Sequence, residues 1–301
     1  MFTDAHTAML QKDLADRPDL WDKLTPKYNL GCKRIIISDD YFPALARDNV
    51  ALETRPIDSI QGSQIKVKTD NGEVVDTVEG GYDLLVCATG FQTTQFLHPI
   101  ELTGLKGRKL SEIWQHGAKA LYGMTVEEIP NFAMLYGPNT NLGHNSIILM
   151  IEAQSRYING LIKPVLEARR NGKNVILTPR KSVLEEHNRV LQAKLQASAF
   201  NDPNCNSWYK NDAGLITNNW CGTVVQYQQI VETVKYAEDF EVEGSGKEFV
   251  ERQNKLHVGR VREETNVTDM AVFAAGVLGT VALVGGFVLR NSRYLQNMGV
   301  R

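Results

Sequence analysis

The sequence predicts an α/β fold that combines an open sheet, a small antiparallel β-meander and a C-terminal transmembrane helix. Apolar segments of strand length alternate with amphipathic helices through residues 1–240, as in a sheet that is covered by helices. A hairpin-type turn joins two alternating segments, which indicates the meander. A long uncharged run near the C-terminus indicates the membrane helix.

The first predicted strands include the meander. Residues 34–38 (RIIIS) are short and apolar, which indicates a strand. Residues 50–54, 64–69 and 73–78 alternate between apolar and polar side chains, as a strand with one buried face does. The sequence DNG at residues 70–72 favours a type I′ hairpin between the last two segments.

Two later runs predict strands that are buried on both faces. Residues 82–88 (YDLLVCA) are almost continuously apolar and end at Thr89 and Gly90. Residues 132–136 (FAMLY) form a second run, which the Gly-Pro pair at 137–138 ends. Continuous apolar runs of this length are typical of strands with a helical layer on each face.

Helices and a linker follow. Apolar residues recur at helical spacing in residues 145–167, 183–197 and 224–235, so each segment predicts an amphipathic helix. Residues 241–269 are polar, mostly charged and contain Gly-Ser-Gly, which is typical of a linker between a globular part and an anchor.

The membrane prediction depends on residues 270–289, which carry no charge between Asp269 and Arg290. A helix of about 20 residues spans a hydrocarbon layer of roughly 30 Å. A buried core helix is the alternative. The N-terminus is charged and lacks the apolar segment of a signal peptide. We therefore expect a single-pass anchor at residues 270–290, with the main domain in the cytosol.

Charge and cysteine content exclude some functions. Lys and Arg number 33 against 35 Asp and Glu, the net charge is −2, and no basic stripe is visible, so a nucleic-acid partner is not expected. The four cysteines are widely scattered and form no CxxC pair. Their spacing predicts neither a disulfide framework nor a metal site.

Lys33 and Arg34 are the first candidate functional residues. Neighbouring side chains of an extended chain point to opposite sides, so one cation is placed to meet a cofactor phosphate and the other a substrate or flavin oxygen. A pair of solvated surface charges is the alternative.

Two loops are candidate binding elements. The Thr-Gly corner at 89–90 lets backbone approach a bound group, although it also reads as an ordinary strand-ending turn. The loop at 136–146 precedes a helix whose N-terminal amides suit an anionic edge. Asn145 or Ser146 could instead cap that helix, and His144 is either a general base or a structural loop residue.

Trp208 and Tyr209 lie in the sequence SWY, upstream of TNNWCGT at residues 217–223. Aromatic side chains in a loop can stack on a ring system, or they can close the end of a core.

Five segments in this order resemble one family: LTPKYNLGCKR, DxxxALARDNV, YDLLVCATGF, LYGPNTNLGHNSI and finally SWY with TNNWCGT. Over about residues 15–240 the chain resembles the C-terminal half of flavin-dependent Baeyer–Villiger monooxygenases, close to the hydroxyacetophenone monooxygenase and flavin-containing monooxygenase group. The resemblance implies a flavoprotein fold with two dinucleotide-binding domains. NADPH would reduce FAD, and O2 would give a flavin C4a-peroxide that converts a small-molecule ketone to an ester.

The resemblance also implies residue roles. Arg34 would be catalytic, because it faces the flavin and stabilises negative charge. The other residues would lie as follows: Lys33 on the NADP ribose-phosphate, Trp208 beside the nicotinamide, Thr89, Gly90 and Asn145 against FAD, and Gly143 and His144 at the substrate pocket.

One departure from the family pattern limits these implications. Such enzymes need two GxGxxG loops for the pyrophosphates of FAD and NADP, and the sequence contains neither. Residues 1–80 are then the remnant of an NADP-binding domain with the meander, and residues 81–240 the C-terminal part of an FAD-binding domain. We expect the isolated chain not to retain FAD. The alternative is a catalytically inactive, membrane-tethered fragment that acts as a binding protein or is a relic.

Overall fold

The computed structural model describes residues 2–261, except 144–145. In chain order the helices are α1 (Phe2–Asp13), α2 (Trp21–Leu24), α3 (Tyr41–Leu45), α4 (Leu110–Ile113), α5 (Ile147–Arg170), α6 (Lys181–Gln196), α7 (Val224–Val231), α8 (Tyr236–Asp239) and α9 (Glu248–Glu251). The strands are β1 (Ile57–Gln61), β2 (Gln64–Lys68), β3 (Val74–Asp76), β4 (Ile176–Pro179), β5 (Thr233–Lys235), β6 (Phe240–Glu243) and β7 (Lys255–His257). Near the N-terminus, Leu10, Leu14 and Leu20 form a small core of their own.

The predicted meander is present as the sheet β1-β2-β3, in which both pairs of neighbours are antiparallel. Val67 of β2 is completely buried, as the alternating pattern requires of one face. In the second hairpin Gly72 adopts a φ of 80°, and its N–H donates to the carbonyl of Thr69 at 2.9 Å. The first strand lies at β1 and not at residues 50–54, where it was predicted.

Helix α5 is the centre of the main core. Met150 and Tyr157 are buried on its inner side, which packs against α7 and β5. Gly160 allows the close approach to β5, because a Cβ at this position would lie 2.9 Å from Cγ2 of Val234. The hydroxyl of Tyr236 donates to the Gly160 carbonyl at 2.7 Å. Helix α5 is therefore joined to β5 by packing and to the first residue of α8 by a buried hydrogen bond.

The three predicted amphipathic helices form as α5, α6 and α7. The last of them ends before residues 233–235, because these residues form β5 and pair with β7. Residues 241–257 have the composition of a linker, yet they contribute β6, α9 and β7. Strand β6 pairs antiparallel with β4, so tertiary pairing places this polar segment in the folded unit.

The predicted open sheet does not form within the described part of the chain. Residues 34–38 and 82–88 belong to no strand there, and neither do residues 132–136. Ile36 and Ile37 are 84% and 91% exposed, although their pattern predicts burial on both faces. A strand needs hydrogen-bond partners on a neighbouring strand, and no described segment supplies them to the first two runs.

The transmembrane part of the predicted fold class requires correction. Among residues 2–261, without 144–145, no helix is long and apolar enough to cross a membrane. The longest of these helices, α5, carries several charges along its length. The run at residues 270–289, on which the prediction rested, lies outside the described residues. The membrane partner and the membrane localisation therefore have no support in the fold, and neither is retained.

Candidate active site

A disulfide anchors the segment that leads to the predicted cation pair. Cys32 and Cys205 are both buried, and their Cα atoms lie 6.3 Å apart. Nearby, the N–H of Asn29 donates to Oδ2 of Asp202 at 2.5 Å, and this bond lowers the pKa of the Asp202 carboxyl. The prediction of no disulfide is wrong, because folding joins cysteines that are 173 residues apart in sequence.

Arg34 lies within electrostatic reach of two tyrosines. Burial raises the pKa of Tyr136 and of Tyr209, and the positive charge of Arg34 opposes the rise at both. The Lys33 ammonium takes a different neighbour, because its Nζ lies 5.2 Å from the centroid of the Tyr28 ring. Both cations are exposed. The two side chains therefore have different neighbours, as expected for consecutive residues of an extended segment, whose side chains point to opposite sides.

Buried asparagines form a hydrogen-bond network with Tyr136. The hydroxyl of Tyr136 donates to Oδ1 of Asn141 at 2.9 Å, and Nδ2 of Asn141 donates to Oδ1 of Asn219 at 2.8 Å. Nδ2 of Asn139 bonds the carbonyl of Asn219 at 3.0 Å. Sequence analysis picked out both asparagine-rich loops but missed these residues, because the sequence does not show that the loops pair with each other.

Trp208 and Tyr209 have opposite surroundings. Tyr209 is 1% exposed and closes the core, whereas Trp208 is 52% exposed. Their ring centroids lie 4.4 Å apart. The carbonyl of Trp208 accepts hydrogen bonds from Oγ1 of Thr93 at 3.1 Å and from Nδ2 of Asn218 at 3.2 Å. Tyr209 therefore closes the end of a core, whereas the ring of Trp208 is open to stacking on a ring system.

The Thr89-Gly90 corner is open. Gly90 adopts a φ of 85°, and a Cβ added there would have no neighbouring atom within 4 Å. Thr89 is exposed, as is the following Phe91. Thr93 connects the chain beyond this corner to the carbonyl of Trp208. An open backbone of this kind leaves room for a flat bound group, as predicted for the corner.

The loop before α5 is only partly described. A Cβ on Gly143 would lie 3.7 Å from the ring of Phe200, so this glycine borders the loop that carries the disulfide. Ser146 occupies the N-cap position of α5, and its side chain makes no capping hydrogen bond. His144 and Asn145 lie outside the described residues, so their predicted roles stay predictions.

A second polar cluster, which the sequence analysis missed, lies in the core. The hydroxyls of Tyr122 and Tyr157 donate to Oδ2 of Asp239 at 3.2 and 3.5 Å. Burial raises the pKa of Asp239, and these hydrogen bonds oppose the rise. The imidazole of His187 packs edge-on against Tyr122 and stacks on Trp220, and burial lowers the pKa of His187 to about 4.

We expect His187 to make stability depend on pH. Its pKa is about 4 in the folded chain and near the ordinary 6.5 when unfolded, so folding favours the neutral ring. Its contribution is fully present above pH 6.5 and is lost as pH falls towards 4, which amounts to at most about 3 kcal/mol. Urea unfolding at several pH values measures the loss. His187→Phe should remove this part of the pH dependence, whereas His116→Gln, at an exposed histidine, should leave it unchanged.

Comparison with known proteins identifies the relatives of the chain. No family model matches it. The FAD-binding monooxygenase ktnD of Aspergillus niger is 48% identical over 281 residues, which cover 93% of this chain and 44% of that protein. A Baeyer–Villiger monooxygenase of Streptomyces coelicolor is 35% identical over 221 residues, or 73% of this chain and 41% of that protein. The chain is thus homologous to part of the FAD-binding and Baeyer–Villiger monooxygenases. The resemblance inferred from the motifs is therefore confirmed.

A solved monooxygenase structure supports the fold and the cofactors. The structure of an oxidized steroid monooxygenase bound to NADP matches with a TM-score of 0.61 and 27% identity, over 76% of this chain and 43% of that one. Together with the FAD-binding relative, it indicates FAD and NADP as the cofactors of the family. The chain spans less than half the length of the two curated relatives named above.

The described residues fit one end of these cofactors. The open backbone at Gly90, the exposed ring of Trp208 and the cation of Arg34 suit a planar ring system with an electron-rich edge. A pyrophosphate normally lies on a glycine-rich turn at a helix N-terminus, and the sequence contains no GxGxxG motif. The chain thus offers groups for the ring end and lacks the usual loop for the phosphates.

Proposed function

We propose that this chain forms part of the active site of an FAD- and NADPH-dependent Baeyer–Villiger monooxygenase that converts a small-molecule ketone to an ester. The single observation that carries the proposal is the position of Arg34, an exposed cation that lies two residues after the buried Cys32. The disulfide of Cys32 holds the adjoining backbone. When they are bound, the cofactors supply the reducing equivalents and the activated oxygen.

Arg34 provides fixed positive charge where negative charge develops on oxygen during the reaction. Such charge is most effective when it is oriented before the reaction begins. The backbone at Arg34 contacts Tyr209, and Tyr209 is buried beside Asn219, so the attachment of the side chain is fixed at its base. The guanidinium itself is exposed and free to face a bound ring.

The remaining residues bind and orient. In this proposal Lys33 would hold the ribose-phosphate of NADP and Trp208 would cover the nicotinamide. Thr89 and Gly90 would hold the flavin of FAD, with room for the ring at Gly90, and the predicted role of Asn145 is to bind FAD as well. Oγ1 of Thr93 donates a hydrogen bond to the Trp208 carbonyl at 3.1 Å, which joins the chain beyond the Thr89-Gly90 corner to the loop of Trp208. This bond supports one shared site for the ring-binding residues.

The substrate pocket is bordered by Gly143 and His144 in this proposal. The contact of Gly143 with Phe200 would place this edge near the loop that carries Cys205 and Trp208. An organic ketone is neutral, so its carbonyl oxygen gains most from a cation that is already present, namely Arg34.

A second candidate function is partner binding without catalysis. The absence of a GxGxxG motif from the sequence favours it, because the chain lacks the usual means of holding a pyrophosphate. The membrane tether of this alternative is not retained.

FAD retention by the chain alone tests whether its ring-end groups are enough to hold the cofactor. We expect the purified chain to bind no FAD at near-unit stoichiometry, since it supplies groups for the ring end only. The absorbance spectrum after gel filtration with added FAD measures retention. A yellow protein with one flavin per chain would contradict this expectation.

A second polypeptide, comprising the residues of ktnD that lie outside the region matched by this chain, is then added. Ester formation is measured with FAD, NADPH, O2 and a panel of ketones. Product that requires both polypeptides supports the monooxygenase. A complex that binds flavin and oxidises no ketone supports the binding role.

A further inference from the structure

A polar groove lies between helix α5 and strand β7, away from the residues discussed so far. Its volume is about 210 Å³. The polar side chains that line it are those of Arg156, Asn159, Lys163 and His257, and none of the lining residues is acidic. The groove therefore presents positive charge and N–H donors to a molecule that enters it.

The two cations of the groove have no acidic partner. Within the part of the chain that the structure describes, neither the Arg156 guanidinium nor the Lys163 ammonium forms a salt bridge. Lys255, at the other end of β7, differs because its ammonium pairs with Glu238 at 2.5 Å. Two unpaired cations that line one groove attract an anion more strongly than either cation alone.

The histidine and the backbone beside it are held in place. Nδ1 of His257 lies 3.1 Å from Oγ1 of Thr233, so Nε2 is the ring nitrogen that remains for a bound group. When Thr233 donates this hydrogen bond, the neutral ring carries its proton on Nε2. The N–H groups of Val258 and Gly259 donate to the carbonyl of Glu232 at 2.8 and 3.1 Å. The β7 side of the groove is therefore fixed before a ligand binds, which reduces the cost of ordering it.

The groove lies on the polar side of α5. Arg156 and Lys163 are seven residues apart, so they lie about 20° apart around a helix of about 3.6 residues per turn. The exposed apolar side chain of Ile148 lies about 80° from Arg156, and that of Ile162 lies about 100° from Lys163. The exposure of the groove therefore belongs to the charged side of the helix and not to its apolar side. None of the residues proposed to bind FAD, NADP or ketone lines it.

The size and the charge of the groove indicate the ligand. Pockets that bury a drug-sized molecule have volumes of roughly 300–1,000 Å³, so this groove suits a smaller group. A guanidinium offers two parallel N–H donors that match two oxygens of a phosphate, and an ammonium adds a second positive charge.

We propose that α5 and β7 form a binding site for a phosphate group, which is carried by a free phosphate ion or by a small phosphate ester. Arg156 and Lys163 supply the positive charge, and Nε2 of His257 supplies a further donor. The site is independent of the proposed monooxygenase function, because it shares no residue with the groups assigned to the cofactors and the ketone.

Equilibrium dialysis of the full chain against radiolabelled inorganic phosphate tests the proposal, with NaCl added to keep the ionic strength constant. We expect one saturable site per chain. Arg156→Gln and Lys163→Gln should each weaken binding by about tenfold, the loss expected when one charge-assisted hydrogen bond is removed. Both side chains are exposed, so the melting temperature should stay unchanged. Absence of saturable binding to the wild-type chain overturns the proposal.

Arg169→Gln is the matched control, because it removes the same charge from an exposed position of α5 outside the groove. We expect it to leave the dissociation constant for phosphate unchanged. Equal weakening by Arg169→Gln and Arg156→Gln would show that phosphate responds only to the net charge of the chain, as an adventitious ion does. That result would overturn the proposal.

Competition distinguishes the two sources of the phosphate group. Stronger displacement of the label by glycerol phosphate than by unlabelled inorganic phosphate indicates an ester, and the reverse order indicates the free ion. Either order supports the site. Binding to anionic phospholipid vesicles, combined with no binding to both small probes, overturns it because the ligand would then be a membrane surface. The assay needs no flavin and no ketone, so its failure leaves the proposed monooxygenase function untouched.

Discussion

Arg34→Ala should lower ester formation in the assembled enzyme by about 100- to 1,000-fold, the loss that follows removal of one preorganised group that stabilises negative charge. Oxidation of NADPH should persist, because the substitution leaves Lys33 and Trp208 in place. The backbone contact between residue 34 and Tyr209 is retained in the alanine variant, and the Arg34 side chain is exposed, so folding should be unaffected.

Product yield per NADPH oxidised measures this effect under turnover. Lys33→Ala is the matched control, because it removes the neighbouring cation and should raise the KM for NADPH with little change in kcat. Ester formation by Arg34→Ala at the wild-type rate would remove Arg34 from the mechanism, and an equal loss in both variants would show that any cation serves.

The isolated chain provides a readout that needs no partner. The cation of Arg34 lowers the pKa of Tyr136 and of Tyr209 against the effect of burial. Removing it should therefore shift the phenol titration of both residues to higher pH. An ultraviolet titration of Arg34→Ala, compared with Tyr136→Phe and Tyr209→Phe, assigns the shift. An unchanged titration would contradict the position of Arg34 even before any activity is measured.

Local sequence signals predicted local structure well. The DNG sequence at 70–72 and the alternation on each side predicted the β2–β3 hairpin, because turn chemistry and side-chain period act over a few residues. Apolar spacing predicted α5 and α6 for the same reason. The first meander strand was misplaced by several residues, since short strands also depend on which neighbour they pair with.

Features that depend on distant contacts were not available from the sequence. The Cys32–Cys205 bridge joins residues 173 apart, and spacing alone gives no such pairing. The contact of Tyr136 with Asn141 and Asn219 required two asparagine-rich loops to meet. The apolar run at 34–38 predicted a buried strand, but a strand forms only with a pairing neighbour, and no described segment pairs with this run.

The loop that carries Tyr136 depends on Gly123, and this gives the second large expected effect. Gly123 adopts a φ of 71°, and a Cβ there would lie 2.8 Å from the carbonyl oxygen of Pro138 and would also overlap Thr140. Thr140 is fully buried and its hydroxyl donates to the Gly137 carbonyl at 2.8 Å, so the loop cannot move aside easily. Gly123→Ala therefore adds a steric clash to the strain of a left-handed backbone.

We expect Gly123→Ala to lower the free energy of unfolding by roughly 3 kcal/mol, of which about 1 kcal/mol is backbone strain and the rest is overpacking. Gly72→Ala is the matched control, because Gly72 has a φ of 80° and no atom within 4 Å of an added Cβ, so only the strain remains. Urea unfolding of both variants measures the difference. Displacement of the loop should also weaken the coupling of Arg34 to Tyr136 and shift the Tyr136 titration to higher pH. Equal destabilisation by the two substitutions would show that the backbone conformation alone, and not the contact with Pro138 and Thr140, fixes this loop.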